Sequence, residues 1–258
     1  MTIQSKTTAR IAFVLAAAFA GSAVMAQTKA PEPAYTLSFN LGAVSDYRFR
    51  GISQTSFDPA LQGGADFSHK SGFYAGAWAS NVKWIKDYLG ATEGSYEIDL
   101  YAGFKGEITS GFGFDIGVIT YQYPGNTADG AGYANANTTE LYGALTFGPA
   151  TVKYSQSIGN FIGNLNSSGS AYLEAAATFD LGSGFSITPH IGRQSIPNQP
   201  GNIGDYTDYS LAVSKDFGNG LVITGTLMGT DAKKSFYTDL NGRFLGKDTV
   251  VVGLKYSF

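Results

Sequence analysis

A regular repeat of short glycine turns most constrains the fold, because two segments of alternating apolar and polar residues separate each turn from the next. The turn glycines are Gly72, Gly111, Gly148, Gly184 and Gly220, and the steps between them are 39, 37, 36 and 36 residues. Alternation with a period of two places apolar side chains on one face of a β-strand. Repeated hairpins of this size, with short turns on one side and long polar loops on the other, are the layout of an outer-membrane β-barrel.

Twelve segments alternate in this way and predict the fold class. The first has Tyr35, Leu37, Phe39 and Leu41 on one face, and the last ends at Phe258. Roughly ten residues tilted by about 45° cross the hydrocarbon layer, and the segments have this length. We therefore predict an all-β, antiparallel transmembrane β-barrel of about 12 strands, with short periplasmic turns and longer extracellular loops. The register of the third and eleventh strands stays open at this point. The predicted outer loops are 51–58, 83–94, 124–137, 157–169, 195–205 and 231–247.

Aromatic residues near the short turns predict a belt at one membrane interface, because aromatic girdles flank the apolar band of such barrels. They are Phe67, Phe104, Phe112, Phe147, Phe179, Phe185, Phe217 and Phe258. The expected members of the opposite belt are Tyr47, Phe49, Tyr121, Tyr123 and Tyr154. For Trp78 and Trp84 we favour the outer belt over the barrel mouth.

The N-terminus has the pattern of a secretory signal peptide. Lys6 and Arg10 precede an apolar run, and Val24-Met25-Ala26 forms a small-residue cleavage site. The predicted organisation is a signal peptide at 1–26, a periplasmic lead-in at 27–34 and an outer-membrane barrel at 35–258. This organisation places the mature protein in the outer membrane of a Gram-negative bacterium.

Composition excludes several classes of function. The chain contains no cysteine, which removes disulfides, thiolate metal sites and a cysteine nucleophile. Its net charge is −3 and no basic block is present, so we expect no nucleic-acid partner. No phosphate-binding or metal-binding motif occurs, and we predict neither cofactor nor metal.

Two segments carry a resemblance to a known family. Ser45-Asp46-Tyr47-Arg48-Phe49-Arg50-Gly51-Ile52-Ser53-Gln54-Thr55 is followed by Pro59-Ala60-Leu61-Gln62-Gly63-Gly64. Gly72-Phe73-Tyr74-Ala75-Gly76 and Trp78-Ala79-Ser80-Asn81 form the next block. Here the chain resembles the TorF family of outer-membrane porins. The resemblance implies a proteobacterial outer-membrane barrel and a pore, and it implies no substrate or catalytic residue.

Charged residues on the inward face are the candidate pore-lining residues. The inward set is Asp46, Arg48, Arg50, Glu97, Asp99, Lys105, Glu140, Lys153, Glu174, Asp208 and Lys255, with Asp66 and His190 also facing inward. Strand direction places four carboxylates near the outer mouth, and Arg48 and Arg50 beside them at the end of the first strand. Such an arc would set up a transverse field that selects solutes by charge, and an excess of acids favours cations.

Two other interpretations of these charges remain open. A narrow lumen is also filled by ion pairs that satisfy one another, because buried charges need partners. Eight strands leave an interior filled by side chains and sixteen leave an aqueous channel, so twelve is compatible with both. Alternatively, Arg48 and Arg50 contact lipopolysaccharide phosphates at the rim, since arginine suits phosphate geometry.

We expect a monomeric porin that allows passive diffusion of small hydrophilic solutes or ions, with no chemical step. One rival is a closed structural or surface-interaction barrel whose function resides in loops 124–137 and 157–169. The other is an outer-membrane hydrolase, for which His190 is the plausible base although no spacing marks a nucleophile. Expected partners are outer-membrane lipid and lipopolysaccharide, small solutes, and the outer-membrane assembly machinery acting on the last strand ending in Phe258.

Overall fold

The computed structural model describes residues 33–258. The predicted signal peptide and all but the last two residues of the lead-in lie outside the described residues. Alternating side chains and glycine turns produce fifteen β-strands in this part of the chain. They are β1 (Tyr35–Val44), β2 (Arg48–Phe49), β3 (Ile52–Ser53), β4 (Ala60–His69), β5 (Phe73–Asn81), β6 (Tyr96–Thr109), β7 (Phe112–Gln122), β8 (Thr138–Phe147), β9 (Ala150–Ser157), β10 (Ala171–Ala177), β11 (Phe179–Gly182), β12 (Phe185–Ser195), β13 (Tyr206–Asp216), β14 (Leu221–Thr230) and β15 (Thr249–Ser257).

Twelve of these strands form a closed antiparallel barrel, as predicted. Each pairs with the next long strand along the chain, and β10 pairs with β12. The first strand closes the ring by pairing with the last, with Gly42 opposite Lys255. Outside the ring, β11 follows β10 after one residue and pairs with β12 alone. The small hairpin β2–β3 forms a separate sheet.

Helices are short and lie in the long loops. They are α1 (Trp84–Asp87), α2 (Lys234–Tyr237) and the 3-10 turns Asp129–Ala131 and Pro200–Asn202. Within residues 33–258, no helix has both the length and the apolar character needed to cross a membrane.

The outer face of the barrel is apolar, and its register confirms the predicted alternation. On β1, Leu37 and Leu41 are exposed, as are Val250 and Val252 on β15. Six of the eight phenylalanines predicted near the short turns are exposed as well, including Phe147 with 70% of its surface exposed, and Phe67 and Phe112 are half-buried. An apolar outer surface with aromatic residues at one level is the surface that a barrel presents to lipid.

The inner face is polar at most positions, and in several places a tyrosine ring lies across a glycine of the neighbouring strand. A side chain on Gly76 would meet the Tyr101 ring at 2.5 Å, and one on Gly117 would meet Tyr142 at 2.5 Å. Both glycines sit directly opposite their tyrosine in the strand register. The absence of a side chain at these positions therefore allows large rings to lie flat along the wall.

Apolar residues also cluster at the long-loop end of the barrel. One cluster includes Trp84, Ile85 and Tyr123, and a second includes Tyr206, Tyr237 and Leu245. These residues are buried by other loop residues, whereas the outer barrel face is not covered by protein. The long loops thus form packed structure of their own over the outer mouth.

Candidate functional site in the lumen

The loop between β1 and β4, residues 45–59, folds into the barrel, and we call it the plug loop. Its hairpin pairs Arg48 with Ser53 and Phe49 with Ile52. Arg50 and Gly51 connect the two strands with φ values of 48° and 79°. Positive φ at both positions is the requirement of a two-residue type I′ turn, which fits glycine but is uncommon for arginine. The tight turn places the Arg50 side chain at the tip of the hairpin.

The plug loop crosses the lumen, because it contacts strands on opposite sides of the barrel. The Tyr47 hydroxyl donates to Glu97 Oε1 on β6 at 3.0 Å. At the tip of the hairpin, Arg50 donates to Glu140 Oε2 on β8, two strands from β6 around the ring, and to Gln194 Oε1 on β12, five strands from β6, each at 2.7 Å. These contacts hold the loop across the outer half of the lumen and narrow it.

The Arg50 guanidinium lies in a box of one carboxylate and several aromatic rings. It is 4.2 Å from the Tyr172 ring centre and 4.7 Å from that of Phe49. The Arg50 side chain is 7% exposed and that of Glu140 is fully buried. Burial alone would lower the pKa of Arg50, but the Coulombic attraction of Glu140 offsets this, and the pKa lies above its ordinary value. Arg50 is therefore a permanent cation facing Glu140.

Tyr47 is the second contact that fixes the plug loop. Burial and the neighbouring Glu97 carboxylate raise the pKa of the Tyr47 hydroxyl. The hydroxyl therefore keeps its proton and acts as the donor to Glu97. The Tyr47 ring also packs edge-on against Trp78, with 5.3 Å between ring centres.

Arg48 fastens the base of the plug loop. It is paired with Asp46 at 2.6 Å, and both side chains are buried. The same guanidinium donates to the carbonyl oxygens of Leu245 and Lys247 in the loop before β15. Arg48 therefore ties the plug loop to the last long loop, while Arg50 ties it to the opposite barrel wall.

A second polar cluster surrounds His190 on β12. His190 Nε2 is 3.0 Å from Glu174 Oε2, and Nδ1 is 3.5 Å from Asp208 Oδ1. The Tyr172 hydroxyl donates to Asp208 at 2.8 Å and its ring faces Arg50, which joins this cluster to the plug loop. Within residues 33–258 no serine hydroxyl is hydrogen-bonded to His190, and the hydroxyl beside it is that of Tyr172 at 3.4 Å.

The remaining predicted cations lie closer to the short turns. Lys105 lies 5.5 Å from the ring centre of Tyr74, and Lys153 lies 4.4 Å from that of Tyr142. The Tyr74 hydroxyl donates to Asp115 at 2.6 Å and is hydrogen-bonded to that of Tyr142. This network fills the side of the lumen formed by β5 to β9.

The other side of the lumen is open and contains a cavity of about 420 Å³. Inner-face residues of β14, β15, β1, β4, β5 and β6 line it, and we call this surface the open wall. Its polar lining residues are Asn40, Gln62, Asp66, Trp78, Tyr101, Thr224 and Lys255. The lining runs from Val222, the second residue of β14, to Val44, the last residue of β1. The cavity therefore follows the barrel wall between a short turn and the plug loop.

The predicted site residues fall into two groups. The outer group joins the plug loop to the wall and comprises Asp46, Arg48, Arg50, Glu97, Asp99, Glu140, Glu174, His190 and Asp208. Asp66, Lys105, Lys153 and Lys255 lie outside it, and Asp66 and Lys255 line the cavity. The strand alternation also places Asn40, Gln62 and Tyr101 on the inward face. They are absent from the predicted site because the candidate residues were limited to charged residues and histidine.

Several predictions at the mouth were wrong. Arg48 and Arg50 do not extend the first strand, which ends at Val44. They do not face Glu97, Asp99, Glu140 and Asp208 as a pair, because Arg48 pairs with its own neighbour Asp46. Because both arginine side chains are buried, neither guanidinium is available at the rim to bind lipopolysaccharide.

The predicted outer aromatic belt was also wrong for most of its members. Trp78 lines the cavity, and Trp84 is buried in a loop cluster. Tyr121 and Tyr123 are buried in the same cluster, with Tyr47 and Phe49 packed against it. Tyr154 is exposed, as a belt residue would be.

The fold and this lumen define a transmembrane β-barrel with a polar interior. A family model described as "Bacterial protein of unknown function (Gcw_chp)" matches residues 28–258. The chain therefore belongs to the Gcw_chp family. The description of this family does not mention TorF, so the resemblance to the TorF family remains a prediction from the sequence. No curated protein matches the sequence.

Solved porin structures share the fold. A KdgM porin in complex with disordered oligogalacturonate aligns with a TM-score of 0.54 at 8% identity, covering 86% of this chain and 99% of that chain. The NanC porin aligns with a TM-score of 0.52 at 10% identity and the same coverage. At such low identity the similarity concerns the architecture of the barrel.

Proposed function

We propose that this protein is an outer-membrane channel of a Gram-negative bacterium, through which small hydrophilic solutes or ions diffuse passively. The observation that carries the proposal is the cavity of about 420 Å³ along the open wall. Its volume lies in the range of small-molecule sites, about 300–1,000 Å³. A barrel needed only for structure has no use for a polar cavity of this size. The shared architecture with KdgM and NanC supports the same function.

The plug loop closes the outer end of this path, so conduction requires the loop to move. Two side-chain contacts hold the loop across the lumen, Arg50 with Glu140 and Tyr47 with Glu97. Arg48 and the Ser53 amide hold it to the last long loop. Displacing one hairpin of two-residue strands would leave the twelve-stranded ring intact. We therefore propose that the structure is the closed state and that a shift of the plug loop opens the channel.

Conductance across a planar bilayer tests this function. We expect wild-type protein to give discrete but brief openings and Arg50→Met to give longer ones, because the variant removes the contact to Glu140. Lys83→Gln is the matched control, since its ion pair with Asp58 at 2.5 Å also touches the plug loop but is exposed. A folded barrel that gives no steps as wild type or as Arg50→Met would exclude the channel.

A closed barrel that acts through its surface is the second candidate, and the packed apolar clusters at the mouth favour it. Trp84, Ile85 and Tyr123 bury one another where an open pore would be wet. Under this alternative, exchanging loops 124–137 and 157–169 for unrelated loops would abolish the biological function without changing conductance. Under the channel proposal, the exchange would leave solute uptake in place.

The partners follow from the proposed location. Lipid would cover the apolar outer face, and lipopolysaccharide would surround the outer loops. The assembly machinery would act on β15, next to which Phe258 pairs with Phe39 of the first strand. The proposal includes no catalytic step and no cofactor.

A further inference from the structure

The cavity along the open wall carries two opposite charges that are not paired with each other. Asp66 and Lys255 are the two charged residues among those that line it. Asp66 accepts a hydrogen bond from the Tyr101 hydroxyl and lines the cavity. The Lys255 ammonium has no hydrogen bond or ion pair with any residue of the described range 33–258. The cavity therefore offers one negative and one positive group to a solute.

The strand register shows how far apart these charges lie. Asp66 stands opposite Ser38 on one side of β1, and Lys255 stands opposite Gly42 on the other side. The two residues are thus two strand spacings apart across the wall and four residues apart along it. With strands about 4.8 Å apart and a rise of about 3.3 Å per residue, their Cα atoms are separated by roughly 16 Å. This separation of the two Cα atoms sets the scale of the distance between the two charges of a bound solute.

The groups between the two charges are neutral and suited to a polar backbone. Asn40 and Gly64 lie in the row between them, and Gly64 stands opposite Trp78. The Asn40 amide has no hydrogen-bond partner among residues 33–258, and the Gln62 amide has one long contact of 3.5 Å to Ser80. Free amide groups beside an indole ring can accept and donate hydrogen bonds to a peptide-like chain.

We propose that this cavity binds a small zwitterion whose ammonium and carboxylate lie several bonds apart, as in a dipeptide, with Asp66 facing the ammonium and Lys255 the carboxylate. The inference rests on the proposed channel and names the solute class of its lumen. A simple anion would leave Asp66 beside an unmatched negative charge, and a simple cation would leave Lys255 unmatched. A zwitterion satisfies both groups, and one whose charges lie several bonds apart suits the Cα separation better than a free α-amino acid does.

Calorimetric titration of the refolded mature protein in detergent at pH 7 tests the proposal with L-alanyl-L-alanine as the probe. Three comparison ligands change one property each: the N-acetylated dipeptide lacks the ammonium, the dipeptide amide lacks the carboxylate, and free alanine has both charges on one carbon. We expect saturable binding of the dipeptide and at least tenfold weaker binding of each comparison ligand, which corresponds to about 1.4 kcal/mol.

Two variants assign the charges through ligand discrimination, which a structural defect would not reproduce. Lys255→Met is expected to bind the dipeptide and its amide equally, and Asp66→Asn to bind the dipeptide and its acetylated form equally. Lys86→Met and Asp129→Asn change the same charges in outer loops and should keep the wild-type pattern. Migration of unheated protein on gels checks that each barrel is folded.

Two results would overturn the inference: no dipeptide binding by wild-type protein, or equal binding of the dipeptide and both single-charge analogues. Because the titration on wild-type protein needs no variant, it decides the question even where a substitution prevents folding. Conductance without dipeptide binding would refute the solute class and leave the channel standing. Dipeptide binding without conductance would refute the channel and leave the proposed solute class standing.

Discussion

At the scale of single residues, the pair formed by Arg50 and Glu140 decides where the plug loop lies. Both side chains are buried, and Glu140 Oε1 has no hydrogen-bond partner within the described residues. Moving two charges out of water costs free energy that only good geometry and further hydrogen bonds offset. Gln194 and the Tyr172 ring supply those further contacts to Arg50. Removing one partner therefore costs more than removing both.

Arg50→Met should release the plug loop. An uncompensated buried Glu140 is expected to disfavour the docked loop by about 3–5 kcal/mol. Hydrogen exchange reports the change, because the Ser53 amide is bonded to the Leu245 carbonyl oxygen of another loop only while the plug loop is docked. We expect exchange of this amide to speed up at least tenfold. The double variant Arg50→Met/Glu140→Leu should restore most of the protection.

The exposed pair between Lys83 and Asp58 is the control for this prediction. Their side chains are 46% and 52% exposed, and exposed pairs contribute about 0–1 kcal/mol. Lys83→Gln should therefore leave exchange at the Ser53 amide close to the wild-type rate. Equal exchange rates in Arg50→Met and wild type would show that other contacts hold the loop.

At the scale of elements, the sequence was sufficient for the barrel strands but not for the plug loop. Strand alternation is a local signal, so residues such as Leu37 and Leu41 reveal their face without tertiary information. Asp46, Arg48 and Arg50 continue that alternation past Val44, because the hairpin β2–β3 alternates too. Its fold into the lumen depends on Glu140 and Gln194, which are about 90 and 144 residues away. No local pattern encodes such partners, which is why the sequence placed Arg48 and Arg50 at the end of the first strand.

Trp78 illustrates the same limit within a strand. β5 has small residues on both faces, so its alternation left open which face meets lipid. The structure turns Trp78 inward, opposite Gly64 on β4 and Asp99 on β6. Space above Gly64 and contact with Tyr47 decide this orientation, and both belong to other parts of the chain.

Because tyrosine rings lie across glycines on the inner face, we expect a side chain at such a glycine to lower the stability of the barrel. A side chain on Gly117 would lie 2.5 Å from the Tyr142 hydroxyl oxygen and 2.7 Å from the Ala102 carbonyl oxygen. Gly117→Ala should therefore displace the Tyr142 ring and lower the free energy of unfolding by about 1–3 kcal/mol, the usual cost of overpacking. Urea unfolding of the barrel in lipid vesicles measures the change.

Gly113→Ala is the matched control on the same strand and the same inward face. Its nearest neighbour would be the Gly106 carbonyl oxygen at 3.4 Å, an ordinary contact. We expect this variant to unfold at nearly the wild-type urea concentration. If both substitutions cost the same, loss of glycine in a strand rather than the tyrosine ring would explain the effect.

At the scale of the whole molecule, the lumen is divided lengthwise. The tyrosine network, the Arg50 contacts and the His190 cluster lie along strands β5 to β13, whereas the open wall is centred on the seam where the first and last strands meet. Gly42 and Gly253 have no side chains and line the cavity beside this seam. The cavity and the closure of the barrel thus depend on the same strands, β1 and β15.

Phe258 extends the pairing between the first and last strands beyond the end of β15. Its backbone exchanges two hydrogen bonds with Phe39, of 2.8 and 3.0 Å, and its ring stacks on those of Phe39 and Tyr256 with 6.0 Å between centres. Phe258→Ala keeps the backbone bonds but removes ring contacts of about 0.5–1.5 kcal/mol per pair. We expect assembly into vesicles containing the outer-membrane assembly machinery to slow severalfold, measured by the appearance of heat-modifiable barrel on gels. Phe147→Ala removes a belt ring that is 70% exposed and far from the seam, and it should assemble at the wild-type rate. Equal slowing in both variants would mean that the aromatic belt, rather than the seam, guides assembly.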